Sequence, residues 1–104
     1  MSPPKQGDAM TEREAYQQKL QAQIEQVQAE IDRLRARAKE AEADARIEMD
    51  READDLDRRK EDLKARLEDS RRTGEQSWND LRSGLENAWT ELSAAVGKAR
   101  NRWQ

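Results

Sequence analysis

Apolar residues recur along the first half of this chain at alternating steps of four and three. Leu20, Ile24, Val27, Ile31, Leu34, Ala38, Ala41 and Ala45 follow that rhythm, the heptad spacing that lines one seam of a coiled-coil helix. Tyr16 extends the seam backwards. Beyond Ala45 the steps turn irregular, through Met49, Ala53 and Leu56 to a polar Lys60, then Leu63 and Leu67. Extra four-residue steps are stutters, which locally unwind a supercoil. Residues 11–72 contain no glycine or proline, so no local signal stops the helix. At a rise of about 1.5 Å per residue it would be roughly 90 Å long. Thr11 and Glu14 have capping-box spacing for its start, with Asp8 as another candidate cap. Residues 1–10, which hold both prolines and a glycine, read as a disordered lead-in.

The strong break in the pattern is Thr73-Gly74. Gly74 is expected to end the first helix in a left-handed cap, and Thr73 with Gln76 has capping-box spacing for a second helix. Over residues 75–103, Trp78, Leu81, Leu85, Ala88, Trp89, Leu92, Ala95, Val96, Ala99 and Trp103 fall at helical spacing. Trp78, Leu81, Leu85 and Ala88 are echoed eleven residues later by Trp89, Leu92, Val96 and Ala99, a period close to three helical turns. Helices joined by a short loop tend to be antiparallel neighbours. Fold-back would bring Trp78 near Leu67 and Ser70, Trp89 near Leu56, and Trp103 near Ala45. The expected fold is all-α and elongated: a long coiled-coil helix over 11–72, a turn at 73–74, and a shorter folded-back amphipathic helix over 75–103, together a helical hairpin.

Composition agrees. Of 104 residues, 34% are apolar and 41% charged, too few apolar groups for a thick core and typical of long helices. The 20 basic and 23 acidic residues interleave to a net charge of −3, which gives no long-range pull toward nucleic acid or an anionic membrane. Acid-first pairs four residues apart, Glu42 with Arg46, Asp54 with Arg58, Asp55 with Arg59 and Asp62 with Arg66, favour helix over disorder. Cysteine and histidine are absent, which excludes disulfides, the usual zinc sites and imidazole catalysis. No apolar run is long enough for a signal core or a membrane span, so a cytoplasmic protein is expected.

Little in the chain looks like catalysis. Glu40, Glu42 and Asp44, or Asp54, Asp55 and Asp57, are clustered carboxylates, but a general acid needs a desolvated carboxyl and these lie among arginines on one helix. A calcium loop needs a glycine-turned backbone. The basic run Arg33, Arg35, Arg37 and Lys39 is flanked by Glu30, Asp32, Glu40 and Glu42, and reads as a solvated face rather than a phosphate-binding patch. Neither an enzyme activity nor a cofactor, metal or nucleic-acid partner is expected.

Glu14-Ala15-Tyr16, the run Ile31 to Lys39, Ala43-Asp44-Ala45-Arg46-Ile47-Glu48, and Trp78-Asn79-Asp80-Leu81-Arg82-Ser83-Gly84 through Ala88-Trp89-Thr90-Glu91-Leu92 together resemble a family of small bacterial coiled-coil proteins, some described as stress-response proteins. The resemblance covers most of residues 11–100. It implies a bacterial cytoplasmic protein with no known enzyme activity, and it brings no functional residues.

The seam predicts self-association. In an antiparallel homodimer Ile31 meets Leu34, Val27 meets Ala38, Ile24 meets Ala41, Leu20 meets Ala45 and Tyr16 meets Met49, so that large residues face small ones. That dimer would be a rod of roughly 120 Å. Trp78, Leu81, Leu85, Trp89, Leu92, Val96 and Trp103 form the face that packs within the chain or against a partner protein. The expected function is a non-enzymatic structural or interaction protein, an elongated homo-oligomer acting as a stress-related scaffold or chaperone-like factor. Two alternatives stand beside it: lipid-surface binding through residues 75–103, and a helical subunit of a larger bacterial assembly.

Overall fold

The computed structural model describes residues 11–103, and the expected lead-in over 1–10, with the candidate cap Asp8, lies outside them. The described chain is all-α: α1 over Glu12–Glu40, α2 over Ala43–Arg72 and α3 over Glu75–Arg102. The three helices run up, down and up in a bundle of 61 × 28 × 19 Å. Among the described residues, no helix is long and apolar enough to cross a membrane.

The single helix expected over 11–72 is two helices. It breaks at Ala41 (φ −84°, ψ 160°) and Glu42 (φ −67°, ψ 166°), both extended. Nothing local demands the break, because alanine and glutamate are good helix formers. Tertiary burial decides it. Leu20, Ile24, Val27, Ile31, Leu34 and Ala38 of α1 are buried, as are Met49, Ala53, Leu56, Leu63 and Leu67 of α2. Each large side chain taken fully out of water contributes about 1.5–3 kcal/mol. Breaking one helix for two residues costs far less than leaving that stripe wet.

Pairing of α1 with α2 is antiparallel and its register is visible. Gln17 Nε2 donates to Ser70 Oγ at 3.1 Å. Heptad steps from that layer set Leu20 opposite Leu67, Ile24 opposite Leu63, Val27 opposite Lys60, Ile31 opposite Leu56, Leu34 opposite Ala53 and Ala38 opposite Met49. The irregular stretch Met49–Leu67 is therefore the complement of the regular seam.

At the N-terminus of α1 the expected capping box is present, with Thr11 and Glu14 exchanging side chain-to-backbone bonds at 3.0 and 3.1 Å. At the second turn the caps differ from expectation. Gly74 is not left-handed: it is extended (φ −69°, ψ 165°) and serves as the N-cap of α3 without a side-chain bond. Thr73 Oγ1 bonds back to the Asp69 carbonyl at 3.0 Å instead of capping α3. A left-handed residue is dispensable there because Arg13 serves the last carbonyls of α2, as described below.

Candidate functional site

The predicted oligomer seam lies within one chain. Leu20, Ile24, Val27, Ile31, Leu34 and Ala38 form the α1 side of the core, and Met49 lies across the turn on α2. Tyr16 is half-buried, Ala41 sits in the turn, and Ala45 is half-buried on the first turn of α2. The homodimer register centred on Ile31–Leu34 therefore cannot coexist with this bundle: Leu34 faces Ala53 of its own chain, not Ile31 of another.

Of the tryptophan face, Leu85, Leu92 and Val96 are buried, while Trp78, Leu81, Trp89 and Trp103 are half-buried. α3 returns antiparallel along α2, with Arg102 on Glu48 at 3.1 Å and Trp103 Nε1 donating to Glu52 at 2.8 Å. Trp103 thus lies by Glu52, two turns from the expected Ala45. At the far end the Trp78 ring meets Tyr16 edge-on at 5.9 Å. Arg13 lies over Trp78 at 4.9 Å and Arg82 over Tyr16 at 5.3 Å. Burial, with the Glu86 carboxylate, raises the Tyr16 phenol above its ordinary pKa against the opposing pull of Arg82, so the phenol stays protonated.

Three arginines cap the three helix C-termini, and no sequence signal marked them for it. Arg46 Nε and Nη2 donate to the carbonyls of Ala38 and Ala41 at 3.2 and 3.1 Å. Arg13 donates to the carbonyls of Ser70 and Thr73. Arg37 donates to the Trp103 carbonyl. Each places a cation where the helix dipole is negative and donates to carbonyls at the helix end, where helical partners run out. The expected Glu42–Arg46 pair is thereby replaced. Asp55–Arg59 and Asp62–Arg66 form at 2.9 and 3.0 Å, while Asp54 turns to Arg35 of α1 at 3.2 Å. The basic run is thus dispersed, with Arg33 on Glu30 at 2.9 Å.

Among the described residues, one charge lies in the core. Lys60 is only 5% exposed. Its ammonium donates to the Gln28 side-chain oxygen, to Asp57 at 3.0 Å, and it pairs with Glu61 at 2.9 Å. Burial pulls its pKa down, but the Glu61 and Asp57 carboxylates outweigh burial and hold it above the ordinary lysine value. Two carboxyls are pushed the opposite way from a general acid: Arg59 and Arg58 hold Asp55 low, and Lys60 holds Glu61 low.

α3 leans on α2 and touches α1 less, which leaves a groove between the parallel α1 and α3. Two adjoining hollows of about 220 and 370 Å³ lie along it. Val27, Leu34, Trp89, Val96 and Trp103 supply apolar walls, and Arg33, Arg37 and Arg100 line it with Glu30. Arg100 crosses to Glu30 at 3.2 Å. Gly97 lines the groove, and a Cβ there would meet open space; the same holds for Gly84, so neither glycine marks a close helix approach. Among the described residues, no cluster of three or more metal-ligating side chains occurs. No protein-family model, curated protein or solved structure matches this chain.

Proposed function

We propose that the chain is a non-enzymatic structural protein that works by self-association, as an elongated homo-oligomer. The observation that carries this reading is the apolar stripe from Leu20 to Ala45, which continues through the Ala41–Glu42 turn without a glycine, a proline or a change of rhythm. A stripe of that kind pairs equally well with a complementary helix of its own chain or of another copy. The family resemblance adds a stress-related scaffold or chaperone-like role as the physiological form of this function. Sedimentation velocity of the full chain from micromolar to millimolar concentration tests it. Concentration-dependent dimers or larger species are expected, and a single monomeric species throughout would overturn the reading.

The groove between α1 and α3 favours a second reading, a bundle that seats a helix of another protein. Its apolar walls and arginine-rich rim fit an amphipathic helix with acidic edges. Capture from the source cell that is lost on Arg100→Glu, with the fold intact, supports it; capture indifferent to Arg100→Glu removes the groove from the account. Lipid binding through residues 75–103 has less support, because Leu85, Leu92, Val96 and Ala99 are buried in the bundle and lipid would have to displace that packing.

A further inference from the structure

We infer that the Ala41–Glu42 turn is a hinge, and that the chain's partner in self-association is a second copy that exchanges α1. In the exchanged form α1 and α2 fuse into one straight helix, and α1 of each copy lies on α2 and α3 of the other. This rests on the self-association proposed above and specifies its mechanism.

Three observations carry it. First, the turn is written in helix-forming residues. Glu40-Ala41-Glu42-Ala43 has no glycine, proline, asparagine or aspartate, and Glu42 makes no side-chain cap bond as the N-cap of α2. Local preference and global fold thus disagree at this turn. Short turns of that kind invite exchange between copies.

Second, the turn is held by a clasp that the fused helix does not need. Neither the Ala38 nor the Ala41 carbonyl has its α-helical partner four residues on; Ala38 takes the Ala41 amide at 3.2 Å instead, and Arg46 donates to both carbonyls at 3.2 and 3.1 Å. In a continuous helix the Glu42 and Ala45 amides, four residues on, take those same carbonyls. Arg46 therefore favours the closed chain alone.

Third, the apolar rhythm serves the open form at the turn. Within one chain Ala41 and Ala45 are only half-buried. The α1–α2 register that joins Gln17 to Ser70, carried between copies, sets Ala38 opposite Met49 and Ala41 beside Ala45 of the partner. The two-fold axis then falls at residues 43–44. Ile47, 51% exposed and the exposed large apolar side chain among the described residues, lies within a turn of that axis.

The fused helix would be roughly 90 Å long by its rise, against 61 Å for the closed bundle. Two variants move the equilibrium in opposite directions. Arg46→Ala removes the clasp and favours the dimer. Glu42→Pro suits the turn, since φ is −67° at Glu42 and Ala41 before it is extended, as proline and its predecessor require. The same proline breaks the fused helix.

The decisive readout is a cysteine pair, Gln17→Cys with Ser70→Cys, in the full chain, which has no cysteine of its own. Protein refolded at low and at high concentration is oxidised and run on denaturing gels without reductant. Exchange gives chain-to-chain disulfides in the dimer fraction and intrachain disulfides in the monomer fraction. Arg46→Ala is expected to lower the dimer dissociation constant by about tenfold or more, which corresponds to about 1.4 kcal/mol. Glu42→Pro is expected to stay helical by circular dichroism and monomeric. A dimer carrying only intrachain disulfides overturns the exchange. So does a dimer that forms equally in Glu42→Pro, although self-association itself then stands. Strictly monomeric wild-type and Arg46→Ala proteins overturn both.

Discussion

Replacing Lys60 by methionine tests how the core tolerates its one buried charge. Lys60 is opposite Val27 in the α1–α2 register and packs its stem among apolar neighbours, with its ammonium held by Gln28, Asp57 and Glu61. Removing one partner of a buried pair usually costs several kcal/mol, because the other charge is left dry. Here the side chains of Asp57 and Glu61 are 35% and 55% exposed, so water receives both when the ammonium goes. Methionine has nearly the volume of the lysine stem and no desolvation cost. Lys60→Met is therefore expected to be stabilising by about 1 kcal/mol, at the low end of the range for replacing buried ion pairs by apolar groups. Urea unfolding followed by circular dichroism measures it. The pH dependence supplies a second check. The folded Lys60 pKa is raised, so its contribution is full below the unfolded lysine value and is lost as pH climbs through the folded one. That alkaline component of the stability curve should vanish in Lys60→Met. A loss of 1 kcal/mol or more at neutral pH would refute the reasoning and make the polar layer a net source of stability.

Arg13→Ala removes donors from the Ser70 and Thr73 carbonyls and a cation from the Trp78 face; it should cost about 2 kcal/mol, seen as a fall in melting temperature of about 8–16 °C for a domain of this size. Gly84→Ala, at an interior position of α3 with open space around the added methyl, should stabilise by about 0.8–1 kcal/mol in thermal or urea unfolding, and destabilisation would place an unseen contact there. Asp55 has its pKa lowered chiefly by its bond to Arg59, so its contribution is present above the unfolded value and is lost as pH falls through the folded one; Asp55→Asn should flatten the stability curve on that acid limb and leave the alkaline limb unchanged.

The helical class was legible because apolar spacing and the absence of breakers over residues 11–72 point one way. The boundary at Thr73-Gly74 was legible from glycine. The turn at Ala41–Glu42 was not, since its residues favour helix and the cause of the break is distant: the match between the α1 seam and the irregular α2 stripe. The same stutters that looked like a weakening coiled coil are the other half of its core. A clue lay in Ser70 and Lys60, which repeat the apolar rhythm with polar groups and find Gln17 and Gln28 across the interface. The capping arginines were hidden because their partners are backbone carbonyls of other helices, which no side-chain pattern records. The α1–α3 groove likewise arises from how α3 leans on α2, a consequence of packing angle rather than residue order.

The turn at residues 41–42 is the feature on which the bundle depends, and a distance between α1 and α2 measures it most directly. Nitroxide labels at Lys19 and Glu68, both exposed, sit opposite one another in the Gln17–Ser70 register. Pulsed electron resonance on the monomer fraction, diluted with unlabelled chain, should give a short distance set by a helix spacing of about 8–10 Å and the label arms. An intrachain distance of roughly 75 Å, the length of an unbroken helix between those positions, would contradict the bundle.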